Sequence, residues 1–284
     1  MKYIKGMILL TWLLATTVHA QVDLQAIQSA AKTEPVYNEY YTITEKDLLE
    51  EFQSVDLTPV SLFQSVRTIV LSLLQWTLHN TTRPTPEENY IRKLHFGRWI
   101  NDPTDDTCMN TRAKILVRDS DADVTYRSNK RCVVDTGKWL DPYSNREFLN
   151  AREIQIDHMV PLKHAYLAGA WKWDYKTRCL YANYMGYRNH LLPASVRENT
   201  SKGDRAPDKY LPSNLMYRCQ YVKDWLTIKL IWRLNMTADE VQAIHEVVTN
   251  YNCNMDEFTL SKEDLAEQRQ HINSNLEYCM INKR

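Results

Sequence analysis

The spacing of apolar residues predicts amphipathic helices towards both ends of the chain. Between Pro59 and Asn80 the apolar residues recur every three or four positions, as on one face of a helix. These residues are Val60, Leu62, Phe63, Val66, Ile69, Val70, Leu73 and Leu74. The stretch from Leu215 to Leu234 carries closely spaced aromatic and aliphatic residues, and it also predicts a helix with a buried face.

Two further helices are predicted from the residues at which they begin. Thr237 and Glu240 have the spacing of a capping box, which predicts a helix running through Val248. Ser261 is predicted to cap another helix that runs towards Cys279.

The centre of the chain has a different pattern, in which short apolar runs alternate with polar turns. Residues 113–117 and 132–134 have the composition of short strands. Ile154 and Ile156 alternate with polar neighbours, as in a half-buried strand, and Pro161 cannot continue a central ladder. Strands in the centre with helices after them indicate an α+β fold.

The first twenty residues have the features of a signal peptide. Lys2 and Lys5 precede a mostly apolar run from residue 7 to residue 18, and Val18 and Ala20 suit signal peptidase. This apolar run is too short to span a bilayer comfortably, so we expect a mature chain that begins near Gln21 and has no membrane partner. The expected location is extracellular or periplasmic.

Charge divides the remaining chain. Residues 21–60 contain eight acidic and two basic side chains, a net charge of −6, whereas residues 61–284 have a net charge of +4. A breaker-rich linker at residues 81–86 separates the two parts. We therefore predict an acidic extension with an amphipathic helix at residues 21–85 and a main domain at residues 86–284. The small basic excess permits a nucleic-acid partner without requiring one.

Six cysteines fit an exported chain. None of them forms a C-x-x-C pair, which disfavours a zinc ribbon or a thioredoxin site. An even count predicts three disulfides, for which six cysteines allow 15 pairings. Proximity in sequence favours Cys108–Cys132, and the other pairings stay open. The sequence carries no indication of the oligomeric state.

The candidate chemistry lies at Asp157 and His158, at the end of the strand that begins near Ile154. Because successive strand residues face opposite sides, a bend is needed for both side chains to serve one site. Alone, a histidine at a strand end is more often structural than catalytic. Downstream, however, follow Asn189 in a second short strand, then Asn199 and Lys202 in a polar turn leading into a short helix. Carboxylate and amide oxygens suit Mg²⁺, and a lysine supplies charge for a phosphate.

These segments resemble the His-Asn-Asn version of the HNH endonuclease motif, and more closely a family of small secreted bacterial HNH endonucleases. The resemblance covers residues 90–248. The shared segments are Phe96-Gly97-x-Trp99, Asp106-x-Cys108, Thr111-Arg112, Cys132, Gly137-x-Trp139-x-Asp141-Pro142-Tyr143, Gln155-Ile156-Asp157-His158, Gly169-Ala170, Ala182-Asn183, Asn199-x-x-Lys202-Gly203-Asp204 and Tyr217-Arg218-Cys219-x-Tyr221-Val222.

The resemblance implies a ββα-metal core embedded in a mostly helical, disulfide-stapled domain with a helical C-terminal part. It implies that His158 is the general base and that Asn189 orients it. Asp157 and Asn199 would hold one Mg²⁺ or Mn²⁺, and Lys202 would steady a phosphate. The implied reaction is phosphodiester hydrolysis of nucleic acid, DNA in preference to RNA and with little sequence specificity.

The sequence departs from the family pattern in two places. Asn199 stands where the usual motif has its second histidine. About thirty residues, 159–188, separate the two strands, and we expect an inserted helix around residues 161–178.

Two other functions remain open at this point. One is an exported metal-dependent phosphoesterase that acts on small phosphate esters. The other is a catalytically inactive extracellular binding module.

Overall fold

A computed structural model describes residues 89–101, 105–258 and 260–281. The predicted signal peptide at residues 1–20, the acidic extension at residues 21–85 and its amphipathic helix lie outside the described residues. The described residues belong to the predicted main domain.

The domain mixes helices with two small sheets, as the α+β prediction stated. In chain order the helices and strands are α1 (Arg92–His95), α2 (Thr111–Arg118), β1 (Thr136–Asp141), β2 (Arg146–Asn150), β3 (Ile154–His158), α3 (Leu162–Leu167), α4 (Tyr175–Asn183), β4 (Leu191–Ser195), α5 (Val196–Lys202), α6 (Arg218–Trp232), α7 (Ala238–Asn250), α8 (Lys262–Asn275) and α9 (Tyr278–Ile281). Short 3-10 turns at Ala170–Lys172, Arg188–His190, Leu215–Tyr217 and Met255–Phe258 connect some of them.

Both sheets are antiparallel pairs. Strand β1 pairs with β2, and β3 pairs with β4 in a continuous register from Ile154 opposite Ser195 to His158 opposite Leu191. Helix α5 begins directly after β4, because the Ser195 side chain caps it by accepting from the backbone N–H of Glu198. The strand pair β3–β4 and helix α5 carry most of the predicted site residues, and two helices separate the strands along the chain.

One stretch predicted as a strand is a helix. Residues 113–117 lie within α2, so the strand prediction for them was wrong. Asn110 begins this helix with a side chain that accepts from the N–H of Ala113. Thr111, Ile115 and Leu116 are buried at a helical spacing, which alternation over five residues alone did not distinguish.

The insertion between β3 and β4 holds two helices, whereas one was expected. Helix α3 ends before a glycine with a positive φ of 130°, Gly169, and α4 begins after Asp174. The side chain of Asp174 caps α4 by accepting from the N–H of Thr177. The single-helix prediction failed because Gly169 allows a turn in the middle of the segment.

The helical C-terminal part agrees with its predicted starting residues. Thr237 and Glu240 form a reciprocal capping box at the start of α7, and Ser261 caps α8 by accepting from the N–H of Asp264. None of the described helices is long and apolar enough to cross a membrane.

Two hydrophobic clusters enclose the β3–β4 pair. The smaller cluster includes Ile154, Ile156 and Leu191 from this sheet together with Trp139 from β1 and Ile115 from α2. The larger cluster contains the insertion and the C-terminal helices. The strands that carry the predicted site are thus held from both sides.

Three disulfides use all six cysteines. Cys108–Cys132 is confirmed as predicted. Cys219–Cys253 joins the start of α6 to the segment after α7. Cys179–Cys279 joins α4, inside the insertion, to α9 near the end of the chain, with a sequence separation of 100 residues.

Removal of Cys179–Cys279 by a double Cys→Ala change should lower the free energy of unfolding by roughly 4–5 kcal/mol, because a cross-link over so long a loop restricts the unfolded chain strongly. The matched control removes Cys108–Cys132, whose separation is 24 residues, and it should cost about 3 kcal/mol. Chemical unfolding of both variants measures this. A loss under about 1 kcal/mol for Cys179–Cys279 would contradict the role given to this bond.

Candidate active site

Asp157 and His158 end strand β3 without a bend. The register with β4 is regular through His158, and the N–H of Met159 continues it by donating to the carbonyl of His190 at 3.1 Å. In a regular strand successive side chains face opposite sides, and the two residues accordingly contact different groups. The expected bend is absent from this strand, so Asp157 and His158 do not meet in one site here.

The carboxylate of Asp157 is buried and fully engaged. The hydroxyl of Tyr143 donates to Oδ2 at 2.6 Å, and the Lys202 ammonium lies 3.0 Å from Oδ1 and 2.8 Å from Oδ2. Only 4% of Asp157 is exposed. Burial raises the pKa of Asp157, and the neighbouring Lys202 acts in the opposite direction. Burial also raises the pKa of Tyr143 well above its usual value, so its hydroxyl stays a donor.

Lys202 is the cation of this pair. Its ammonium donates to Oδ1 of Asp157 and, at 2.8 Å, to the carbonyl of His158, while Oδ2 of Asp157 lies in ion-pair contact. The residue is 0% exposed. Burial lowers the pKa of Lys202, while Asp157 favours its charged form. Because the ammonium is buried and already held by Asp157 and His158, the phosphate predicted to bind there would have to displace one of these contacts.

Asn199 lies one helical turn before Lys202, and it has its own partner on the strand. Its side-chain amide donates to Oε1 of Gln155 at 2.7 Å. Gln155 and Asp157 are two residues apart on β3, and Asn199 and Lys202 are three apart on α5. These spacings place each pair on one face of its element, so two polar pairs join strand to helix.

A divalent metal between Asp157 and Asn199 would compete with the contacts that these side chains already make. Both oxygens of Asp157 already accept hydrogen bonds, and a lysine ammonium lies against both. Within the described part of the chain, His, Cys, Asp and Glu side chains do not form any group of three that could hold a metal. A cation would have to displace the ammonium of Lys202, so the residues as arranged do not fit the predicted metal.

His158 occupies the other side of the strand. Its Nε2 lies 2.9 Å from the carbonyl oxygen of Ala182 in α4, and its ring stacks on Trp99 with centroids 5.2 Å apart. A carbonyl only accepts, so Nε2 carries the proton and Nδ1 is the basic nitrogen of the neutral ring. Burial lowers the pKa of His158 well below its usual value, and the charge of Arg92 adds to this effect. The ring is neutral at pH 7.

His190 contacts α4 in the same way as His158, but at Tyr181, the residue before Ala182. Its Nε2 donates to the carbonyl of Tyr181 at 2.7 Å, while its Nδ1 is buried and has no partner among the described residues. Burial lowers the pKa of His190 to about 4. The end of α4 thus holds two neutral histidines through consecutive carbonyls, those of Tyr181 and Ala182.

Asn189 is placed away from the role predicted for it. Its side-chain amide donates to both carboxylate oxygens of Asp224, each at 3.1 Å. Asp224 also accepts from Tyr187, Tyr217 and Gln220. The acceptor that orients His158 is instead the backbone carbonyl of Ala182.

Sequence reasoning gave no role to several side chains that the structure brings to the predicted residues. Tyr143 contacts Asp157, Gln155 contacts Asn199, and Trp99 stacks on His158. All three stood in the segments shared with the HNH family, and that was the available signal. The carbonyl of Ala182 had no such signal, because a backbone acceptor can be any residue.

Comparison with known proteins finds a family that matches part of the chain. Residues 110–247 match the family described as GmrSD restriction endonucleases, C-terminal domain. Asp157, His158, Asn189, Asn199 and Lys202 all fall within the matched residues. This match indicates a nuclease-type domain, and therefore an enzyme.

One relative aligns with a longer part of the chain than residues 110–247. An uncharacterized secreted protein of Arthroderma benhamiae is 32% identical over 165 residues, which cover 58% of this chain and 77% of the relative. The chain belongs to the same family as this secreted protein. The relative comes from a fungus, so the bacterial origin expected from the HNH resemblance is not confirmed. No solved structure matches the chain.

The buried pair of Asp157 and Lys202 should be a major contributor to folding. Lys202→Met leaves the carboxylate of Asp157 buried without its cation, and we expect a loss of about 3–5 kcal/mol in the free energy of unfolding. The control is Lys163→Met, which removes a half-exposed pair with Asp204 and should cost under about 1 kcal/mol. Urea unfolding at pH 7 measures both. Equal losses in the two variants would contradict the assignment.

The stability of the fold should fall as the pH drops from 6.5 to about 4. The pKa of His190 is near 6.5 in the unfolded chain and about 4 in the folded protein. Between those values only the unfolded chain takes up the proton, so acid favours unfolding by about 3 kcal/mol from this residue.

His190→Gln tests this dependence, since its amide can still donate to the carbonyl of Tyr181 but does not titrate. We expect the free energy of unfolding of this variant to depend less on pH over this range. His158 contributes in the same direction to both proteins and does not affect the comparison. An unchanged pH slope would overturn the role given to His190.

Proposed function

We propose that this protein is an exported endonuclease that hydrolyses phosphodiester bonds of nucleic acid, with His158 as the general base. The match to a restriction endonuclease domain supports the nuclease class. A secreted relative and three disulfides support export, because disulfides persist in oxidising compartments.

The observation that carries the proposal is the hydrogen bond from His158 to the carbonyl of Ala182. This bond uses Nε2 as a donor and leaves Nδ1 as the nitrogen that can accept a proton. The lowered pKa keeps the ring neutral at pH 7, which a base requires. Stacking on Trp99 limits rotation of the ring.

In the proposed reaction, a water oxygen attacks phosphorus as its proton passes to Nδ1 of His158. The new P–O bond forms as the bond to the 3′ oxygen breaks, and the departing oxygen takes a proton from solvent. A positioned base contributes a factor of roughly 10²–10⁴ to such a step. Asp157, Tyr143 and Lys202 hold the strand that presents the base.

The substrate in this proposal is DNA in preference to RNA. The resemblance to HNH endonucleases and the match to a restriction endonuclease domain both favour DNA. Hydrolysis of small phosphate esters without cleavage of a polymer would instead support a phosphoesterase. Binding of nucleic acid with no turnover would support a binding module.

The test is nicking of supercoiled plasmid DNA, and of RNA in parallel, by the purified mature chain. His158→Gln keeps a donor for the carbonyl of Ala182 but removes the base, and it should reduce the nicking rate about 10²-fold or more. His245→Ala on α7 is the matched control and should keep the wild-type rate. If His158→Gln nicks like His245→Ala, His158 is not the base.

A metal panel answers a separate question in the same assay. The predicted Mg²⁺ or Mn²⁺ on Asp157 and Asn199 requires Asp157 to exchange its ammonium partner. Loss of nicking in EDTA with recovery in Mg²⁺ would show that a metal acts in catalysis, and Asp157→Asn should then weaken the recovery. Nicking that persists in EDTA would overturn the metal prediction.

A further inference from the structure

Lys202, the residue predicted to supply a cation for the phosphate, is already engaged by other groups. The ammonium of Lys202 is buried, donates to Oδ1 of Asp157 and to the carbonyl of His158, and lies in ion-pair contact with Oδ2 of Asp157. Lys163 is 2.6 Å from Asp204, and the guanidinium of Arg178 donates to backbone carbonyls, including that of His95. A nuclease must bind a phosphate beside its base, so another cation is needed.

Arg92 and His158 both contact the ring of Trp99. Its guanidinium is 5.5 Å from the centre of the Trp99 ring, and that ring stacks on His158 at 5.2 Å with the planes 2° apart. Arg92 is exposed, and within the described residues its side chain forms no hydrogen bond or ion pair. In that part of the chain no acceptor competes with a ligand for its five donors.

The segment that carries Arg92 is basic. Residues 92–99 contain Arg92, Lys93 and Arg98, all exposed, and no acidic residue. A guanidinium on an aromatic platform is preorganised, and its planar fork matches the oxygens of a phosphate. Neither Arg92 nor Trp99 lies in the residues 110–247 that match the endonuclease domain.

We propose that Arg92 binds a phosphate of the nucleic-acid substrate beside the bond that is cut, and that Trp99 holds its guanidinium next to His158. This inference rests on the proposed nuclease function. Arg92 is then a substrate-binding residue, and Trp99 is a positioning residue that acts through it.

The experiment measures binding of a fluorescein-labelled DNA duplex to the inactive His158→Gln protein, and cleavage by proteins with His158 intact. Arg92→Ala should weaken binding about tenfold or more, as expected for loss of a charge-assisted contact. The slope of log K against log salt should become smaller by about 0.9, the value for one phosphate contact. Arg92→Lys should keep the salt slope while recovering only part of the affinity, because it retains the charge without the fork.

Arg146→Ala is the matched control, since Arg146 is also an exposed arginine over an aromatic ring, 5.8 Å from that of Phe148 on β2. It should leave affinity and salt slope unchanged. Trp99→Ala should weaken binding when Arg92 is present and add little in the Arg92→Ala background, as a double-mutant cycle would reveal. Independent, additive losses would overturn the positioning role.

The outcomes separate this inference from the function on which it rests. If the wild-type protein cuts nucleic acid but Arg92→Ala binds and cuts like Arg146→Ala, the inference fails and the nuclease stands. If the wild-type protein neither binds nor cuts DNA or RNA, both fail. Reduced affinity with the smaller salt slope, found only at Arg92, would support the proposal.

Discussion

The interaction on which this domain depends most is made by the ammonium of Lys202. It is fully buried and lies between the carboxylate of Asp157 and the carbonyl of His158, so it links helix α5 to the end of strand β3. A buried charge is costly unless it is paired and hydrogen-bonded, and here a carboxylate and a backbone carbonyl do this. The position of the strand end, and hence of His158, follows from this contact.

A second support reaches the same strand end from the insertion. The last carbonyls of α4 accept from His158 and His190, and Cys179 in the same helix is bonded to Cys279 near the chain end. Helix α4 therefore sets the tautomer of both rings, while a disulfide ties that helix to the C-terminal part. An insertion that departs from the minimal motif thus holds the ring of His158 in this protein.

The two faces of strand β3 have different contacts. The face with Gln155 and Asp157 is used to dock α5, whereas the face with His158 is directed to Trp99 and, beyond it, Arg92. These contacts of His158 therefore join residues inside the matched segment 110–247 to residues outside it. The salt-dependent binding expected of an exposed arginine agrees with the small basic excess of residues 61–284.

Local sequence determined the strand at Ile154–His158, the caps at Thr237 and Ser261 and the mixture of helices with small sheets, because each depends on spacing along the chain. It did not distinguish the helix at Thr111–Arg118 from a strand, since five residues carry too little periodicity. The partners of the site residues were decided only by tertiary structure. Whether Lys202 meets a phosphate or Asp157, and whether Asn189 or the carbonyl of Ala182 orients His158, depends on how distant segments pack, and a backbone acceptor leaves no mark in the sequence.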